Sequence, residues 1–241
     1  MGTKFSTRIW VGVVGIASIF WGSKGYADTV VSVADFGLKP DTRENAVAYV
    51  QKAIEACRGK EPVTLVFPEG RYDFWPQYAH EKNYYETNTY DVFPKRLAML
   101  FEGFHNITVD GNGSQFVMHD RIQPITVENC DGVTLKNFSI DWDIPLTAQA
   151  RVIKVGSDFF EIEINVLESP YIIEDGKLVF VGEGWKSALG SMIEFESDTH
   201  FVVPGTGDLV LGRNWRDYTA VSPRYGIVRL SRKGGFERYP A

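Results

Sequence analysis

The stretch His105-Asn106-Ile107-Thr108-Val109-Asp110-Gly111 is answered 26 residues later by Asp131-Gly132-Val133-Thr134-Leu135-Lys136-Asn137. Ile107 and Val133, Thr108 and Thr134, and Val109 and Leu135 share that offset, and Phe101 and Val127 keep it upstream. Each copy alternates apolar with polar residues, the period of a strand with one buried face. Asn, Asp and Gly at both ends mark sharp bends. A short strand cannot bury its apolar face alone, whereas stacked repeats can. The repeat therefore predicts a right-handed parallel β-helix with about one coil per repeat, against the alternative of two hairpins in a β-sandwich.

Working outward, residues 1–27 have the make-up of a signal peptide. Lys4 and Arg8 precede an uncharged apolar run over residues 9–22, and Gly25-Tyr26-Ala27 ends in small residues suited to cleavage after Ala27. A membrane anchor is the other reading, but fourteen apolar residues are short for a bilayer. Export, to the periplasm or beyond, is expected.

Of the 241 residues, those after Ala27 hold 22 Lys and Arg against 31 Asp and Glu, a net charge of −9. An acidic chain with no basic run argues against nucleic acid or anionic membrane as partner. Cys57 and Cys130 are the only cysteines and lack metal-ligand spacing. They are expected to be buried thiols.

Residues 28–145 read as an N-terminal cap and the first coils. Val30-Val31-Ser32-Val33 is a strand, and Asp41 or Thr42 is placed to cap a helix over 43–58. There Ala46, Val47, Val50, Ala53, Ile54 and Cys57 recur at helical spacing. Strands over 63–67 and from 71 follow, separated by Pro68-Glu69-Gly70. Residues 73–96 interrupt the repeat with Trp75, Tyr78, Tyr84, Tyr85 and Tyr90. Such aromatics either stack on sugar rings or pin a long loop to its own domain.

Asp35-Phe36-Gly37, the helix ending in Ala-Cys, and Phe67-Pro68-Glu69-Gly70-Arg71-Tyr72 resemble the opening of pectate-lyase-like β-helix proteins, in which the helix caps the solenoid. Phe74-Trp75-Pro76, Val109-Asp110-Gly111 and Leu135-Lys136-Asn137-Phe138-Ser139-Ile140-Asp141-Trp142 are similar to a narrower family, the bacterial α-1,3-galactosidases of glycoside hydrolase family 110. That resemblance implies an exported, inverting hydrolase that removes terminal α-1,3-linked galactose from glycans. It also implies a β-barrel inserted into the β-helix, with the acidic catalytic cluster in coils after the insertion. On this reading the chain is an N-terminal portion without those acids.

Residues 146–241 change texture. Alternating runs at 150–155, 159–164 and 177–181, joined by turns at Gly156-Ser157-Asp158 and Glu174-Asp175-Gly176, predict a small antiparallel barrel or sandwich. Further strands are expected near 192–196, 200–203, 208–211 and 226–230.

Glycoside hydrolysis commonly uses two carboxyl groups, about 6.5–9.5 Å apart in inverting enzymes. Asp141 and Asp143, two apart on a strand, would share a side at about 6.6 Å. Asp-x-Asp before Pro is more often turn chemistry, with the carboxylates accepting backbone N–H bonds. The catalytic residues are therefore left open. Asp141, Trp142 and Asp143, with Arg121, are the expected sugar-binding wall.

His119-Asp120-Arg121 reads as an ion-paired corner, with no nucleophile pattern beside it. Gly111-Asn112-Gly113 precedes no helix, so it is no phosphate loop. His80, His105, His119 and His200 stand apart, and neither a metal site nor a cofactor is expected. A carbohydrate partner is common to two readings: hydrolase, and non-catalytic binding or surface-attachment module. A polysaccharide lyase would want Lys or Arg beside a calcium-binding Asp cluster, which is not evident.

Overall fold

The computed structural model describes residues 29–83, 94–204 and 217–234. The leader, Tyr84, Tyr85 and Tyr90, and the strand expected at 208–211 lie outside the described residues. The first elements are β1 (Thr29–Ser32), α1 (Val47–Ala56), β2 (Val63–Val66), β3 (Arg71–Phe74) and β4 (His80–Lys82). Then come β5 (Lys95–Glu102), β6 (His105–Met118), β7 (Gln123–Glu128) and β8 (Asp131–Trp142). The remainder is β9 (Ala150–Val155), β10 (Phe159–Ile164), β11 (Tyr171–Glu174), β12 (Lys177–Gly182), β13 (Trp185–Ala188), β14 (Thr219–Arg224) and β15 (Ile227–Ser231). With one α-helix among these strands, the described chain is all-β.

The repeat becomes a register. Ile107 pairs with Val133, Thr108 with Thr134 and Val109 with Leu135 in the parallel β6–β8 ladder. Phe101 faces Val127 in the parallel β5–β7 ladder, at the same 26-residue offset. Past a bulge the offset tightens to 24, with Ser114 opposite Phe138 and Met118 opposite Trp142. Gly111, Asn112 and Gly113 occupy the space opposite Asn137. A Cβ on Gly111 would lie 2.5 Å from Phe138 Cβ and 2.7 Å from the Asn137 carbonyl oxygen, so the corner requires glycine. Asn137 Nδ2 donates to Asp110 Oδ1 at 3.0 Å, tying one corner to the next.

Below β6, Val63 pairs with Ile107 and Phe74 with Met118, now 44 residues apart. The difference accommodates the excursion between β3 and β5, of which β4 runs antiparallel to β5. The parallel ladders β1–β2, β2–β6, β3–β6, β6–β8 and β5–β7 thus share one core. Val63, Leu65, Ile107, Val109, Phe74, Phe101, Phe116 and Met118 are buried in it. Among the described residues these sheets remain open, with β8 and β7 as outer strands. Leu135, Ile140 and Val127, on those outer strands, are 38–46% exposed.

Helix α1 covers the other end of the core with Val47, Val50, Ala53 and Ile54. It begins four residues later than the sequence pattern suggests, and neither Asp41 nor Thr42 caps it. Asn45 Oδ1 instead accepts the Val47 N–H at 3.1 Å. Asp41 is drawn away because its carboxylate accepts the Arg71 N–H at 2.9 Å. Cys57 and Cys130 are both free thiols, and burial pushes the Cys57 thiol up to about 11.

From β9 onward pairing is antiparallel. One sheet runs β14-β15-β10-β9 and another β11-β12-β13, both open among the described residues. Phe160, Ile162, Leu178, Ala220, Val228 and Leu230 form a second core between them. Of the strands expected near 192–196 and 200–203, only an antiparallel bridge between Phe195 and Val202 forms.

Candidate functional site

The parallel strands β3, β6 and β8 end together: Phe74, Met118 and Trp142 are in register. The next residues keep the ladder going, because His119 N–H donates to Phe74 O at 2.9 Å and Asp143 N–H to Met118 O at 3.0 Å. Trp75, His119 and Asp143 are therefore stacked at the strand ends, though the sequence separates them by up to 68 positions. The Trp75 and His119 rings lie face to face at 3.8 Å and 12°.

Beneath this stack sits Asp73, whose side chain is fully buried. Arg71, two residues away on the same strand face, closes on it through Nε at 3.0 Å to both carboxylate oxygens. The same guanidinium donates to Asp143 Oδ1 at 2.8 Å. His119 completes the network, with Nε2 2.9 Å from Asp73 Oδ1 and Nδ1 2.6 Å from Glu183 Oε2. Burial alone would raise the Asp73 carboxyl, but hydrogen bonds from Arg71 and His119 outweigh it and hold the group below the usual carboxylate range. The Asp73 hydrogen bond in turn raises Arg71.

Glu183 arrives from the antiparallel half of the chain, at the turn between β12 and β13. Two further contacts seat that turn. A Cβ on Gly184, which has φ +74°, would lie 2.4 Å from Asp120 Oδ2, so any other residue there would strain the backbone and displace that carboxylate. The Arg121 guanidinium lies 5.7 Å from the Trp185 ring centroid.

Of the four residues expected to form the sugar-binding wall, Asp143 alone joins the network; His119, expected in an ion-paired corner, is at its centre. Asp143 is 40% exposed at its side chain, with a second cation, Arg43, at 3.9 Å. Asp141 is exposed and its carboxylate accepts the Trp142 backbone N–H at 2.8 Å. Trp142 packs on the first core and donates its indole N–H to Asp120 O at 3.2 Å. Arg121 turns toward Trp185. Asp73, Arg71 and Glu183 were not singled out. Arg71 and Asp73 were legible as a period-two charged pair on one strand, but nothing local to Glu183 points to His119.

His119, Asp143 and Glu183 bring ligand-type atoms within 4.8 Å of one another. Each is already engaged, Asp143 by Arg71 and His119 by two carboxylates, so the arrangement is an ion-paired network whose cation is a guanidinium. Asp143, its outer member, and the neighbouring Asp141 offer carboxylate oxygens to solvent at the strand end, suited to accepting bonds from hydroxyl groups.

A family model described as GLAA-B beta-barrel domain I matches residues 148–241. An alpha-1,3-galactosidase B from Bacteroides thetaiotaomicron is 57% identical over 205 residues, covering 85% of this chain and 33% of the relative. An alpha-1,3-galactosidase A from Shewanella woodyi is 37% identical over 169 residues, covering 69% of this chain and 28% of the relative. An alpha-1,3-galactosidase B from Parabacteroides distasonis is 33% identical over 223 residues, covering 90% and 36%. The chain spans about a third of the length of these curated relatives.

Proposed function

Over the residues it shares with them, the chain belongs to the family of the α-1,3-galactosidases, and on that premise we propose that it works as part of an exported glycoside hydrolase removing terminal α-1,3-linked galactose. The observation that carries this reading is 57% identity over 85% of the chain to a protein of that name. Glycoside hydrolases, inverting ones included, need a carboxyl pair free to act on opposite sides of the bond. Asp143 is held by Arg71 and Asp141 by its neighbour's N–H, which suits binding better than proton transfer. We therefore assign Asp141, Trp142, Asp143 and Arg121 to the sugar-binding wall and place the inverting acids of the whole enzyme outside this chain.

The fold suits that role. The parallel ladders are the first coils of a right-handed β-helix, and offsets of 26 and 24 residues are one turn. The antiparallel strands from 146 onward are the inserted barrel domain, and residues 1–27 are the export signal. In the working protein the outer coil would present its strand ends to a glycan chain.

The test is galactose release from an α-1,3-galactosyl disaccharide by residues 28–241, beside an Asp141→Ala/Asp143→Ala variant. No turnover by the folded chain is expected. Turnover that disappears in the double variant would instead move catalysis onto this pair.

A further inference from the structure

Trp75 has a role that the ion-paired network leaves unused. Beside that network lies a cavity of about 650 Å³, bordered by Trp75, Arg43, Arg96, Asn45, Gln77 and Asp120. Its size falls within the range of small-ligand sites. The Trp75 ring is fixed before any ligand arrives: one face rests on the buried His119 ring. Its backbone is fastened too, with the N–H donating to Asn45 Oδ1 at 3.2 Å. Asn45 Nδ2 donates to Gln77 O at 2.9 Å and to Trp75 O at 3.4 Å. A rigid aromatic plane costs little entropy when a flat apolar ligand face stacks on it.

Two guanidiniums line the same cavity. The Arg43 side chain is 62% exposed and reaches Asp143 only at 3.9 Å. The Arg96 side chain is 48% exposed and meets Glu81 through Nε at 3.4 Å. Each carries five N–H donors in a planar fork, of which these contacts engage at most one. Among the lining residues Asp120 is the one carboxylate, while Asp143 and Glu81 contact the arginines from outside the lining and leave most of their donors free to face it.

We propose that this cavity is a subsite for a sugar residue bearing a carboxylate or sulfate group. The ring stacks on Trp75, the anionic substituent is gripped by Arg43 and Arg96, and Asp120 accepts from ring hydroxyls. The inference rests on the reading of the chain as a glycan-acting protein, but it concerns binding alone and requires no turnover.

The experiment is calorimetric titration of residues 28–241 with galactose 6-sulfate, galacturonic acid and galactose, with sodium sulfate as the free-anion control. At least one charged sugar is expected to bind about tenfold tighter than galactose, as a charge-assisted hydrogen bond allows. Arg43→Gln/Arg96→Gln is expected to bring it within about twofold of galactose. Both arginines are exposed, so this variant keeps its fold; Trp75→Ala should abolish binding of every sugar. The proposal fails if both charged sugars bind no better than galactose, or if their advantage survives in the arginine variant. It also fails if sodium sulfate binds as tightly as they do, since the cavity is then an anion site only.

Discussion

The Nδ1 atom of His119 lies 2.6 Å from Oε2 of Glu183, joining the end of a parallel strand to a turn in the antiparallel half. His119 is itself 3% exposed at its side chain and bonded to Asp73 on its other nitrogen. One imidazole thus fastens the two sheet systems together.

Removing that ring should therefore cost far more than a surface substitution. His119→Ala leaves the buried Asp73 with Arg71 as its side-chain partner, opens a cavity and strips the support from Trp75, and a loss of about 3 kcal/mol is expected in urea denaturation. Glu183→Gln, which retains a hydrogen-bonding side chain at a half-buried position, should lose about 1 kcal/mol. Combining the two in a double-mutant cycle should give non-additive losses, because they act on one contact.

Asp73 makes acid stability testable. Its folded carboxyl is held below the ordinary range, so its contribution is complete above the unfolded value of about pH 4 and is lost as pH falls through the folded value. Melting temperatures between pH 6 and pH 3 should fall less steeply in Asp73→Asn than in the parent chain. The variant should also be less stable at pH 6, where the Arg71 pair is intact only in the parent.

The corner at Gly111 admits no side chain. Gly111→Ala places a methyl group against the Asn137 carbonyl and Phe138, neither of which can swing aside as a flexible side-chain end would. A loss of about 2 kcal/mol is expected in thermal or urea melts. Gly103→Ala is the control: its Cβ would meet nothing within 4 Å, so only the left-handed backbone at φ +71° is penalised, by about 1 kcal/mol.

The outer strand should make residues 28–241 self-associate. Strand β8 pairs with β6 on one side, and on it Leu135 and Ile140 are 40% and 38% exposed. An open strand with apolar side chains is a template for another chain. Sedimentation velocity should show concentration-dependent association that Leu135→Lys/Ile140→Lys suppresses without lowering the melting temperature. A monodisperse parent chain at all concentrations would refute this.

Much of the architecture was legible because parallel stacking turns sequence offset directly into spatial register. The match of Ile107 with Val133 is a repeat on paper and a strand pair in space. The change of offset from 26 to 24 was not legible, since it depends on how Gly111, Asn112 and Gly113 fold around one corner. The helix start was misplaced for a comparable reason. Asp41 is a good capping residue by type, but the nearby Arg71 N–H claims its carboxylate.

The candidate site divides along the same line. Asp143 and His119 were visible as polar residues at strand ends, and Arg71 with Asp73 as an alternating pair. By itself the sequence determined which residues face inward, where the chain bends and which stretches stack, because those depend on local alternation and equal offsets. That Asp143 is held by Arg71, and that His119 is held between Asp73 and Glu183, only the tertiary structure decided. Hydrogen bonds between side chains 46, 64 and 72 residues apart depend on where whole strands and turns come to rest, and no local pattern encodes that.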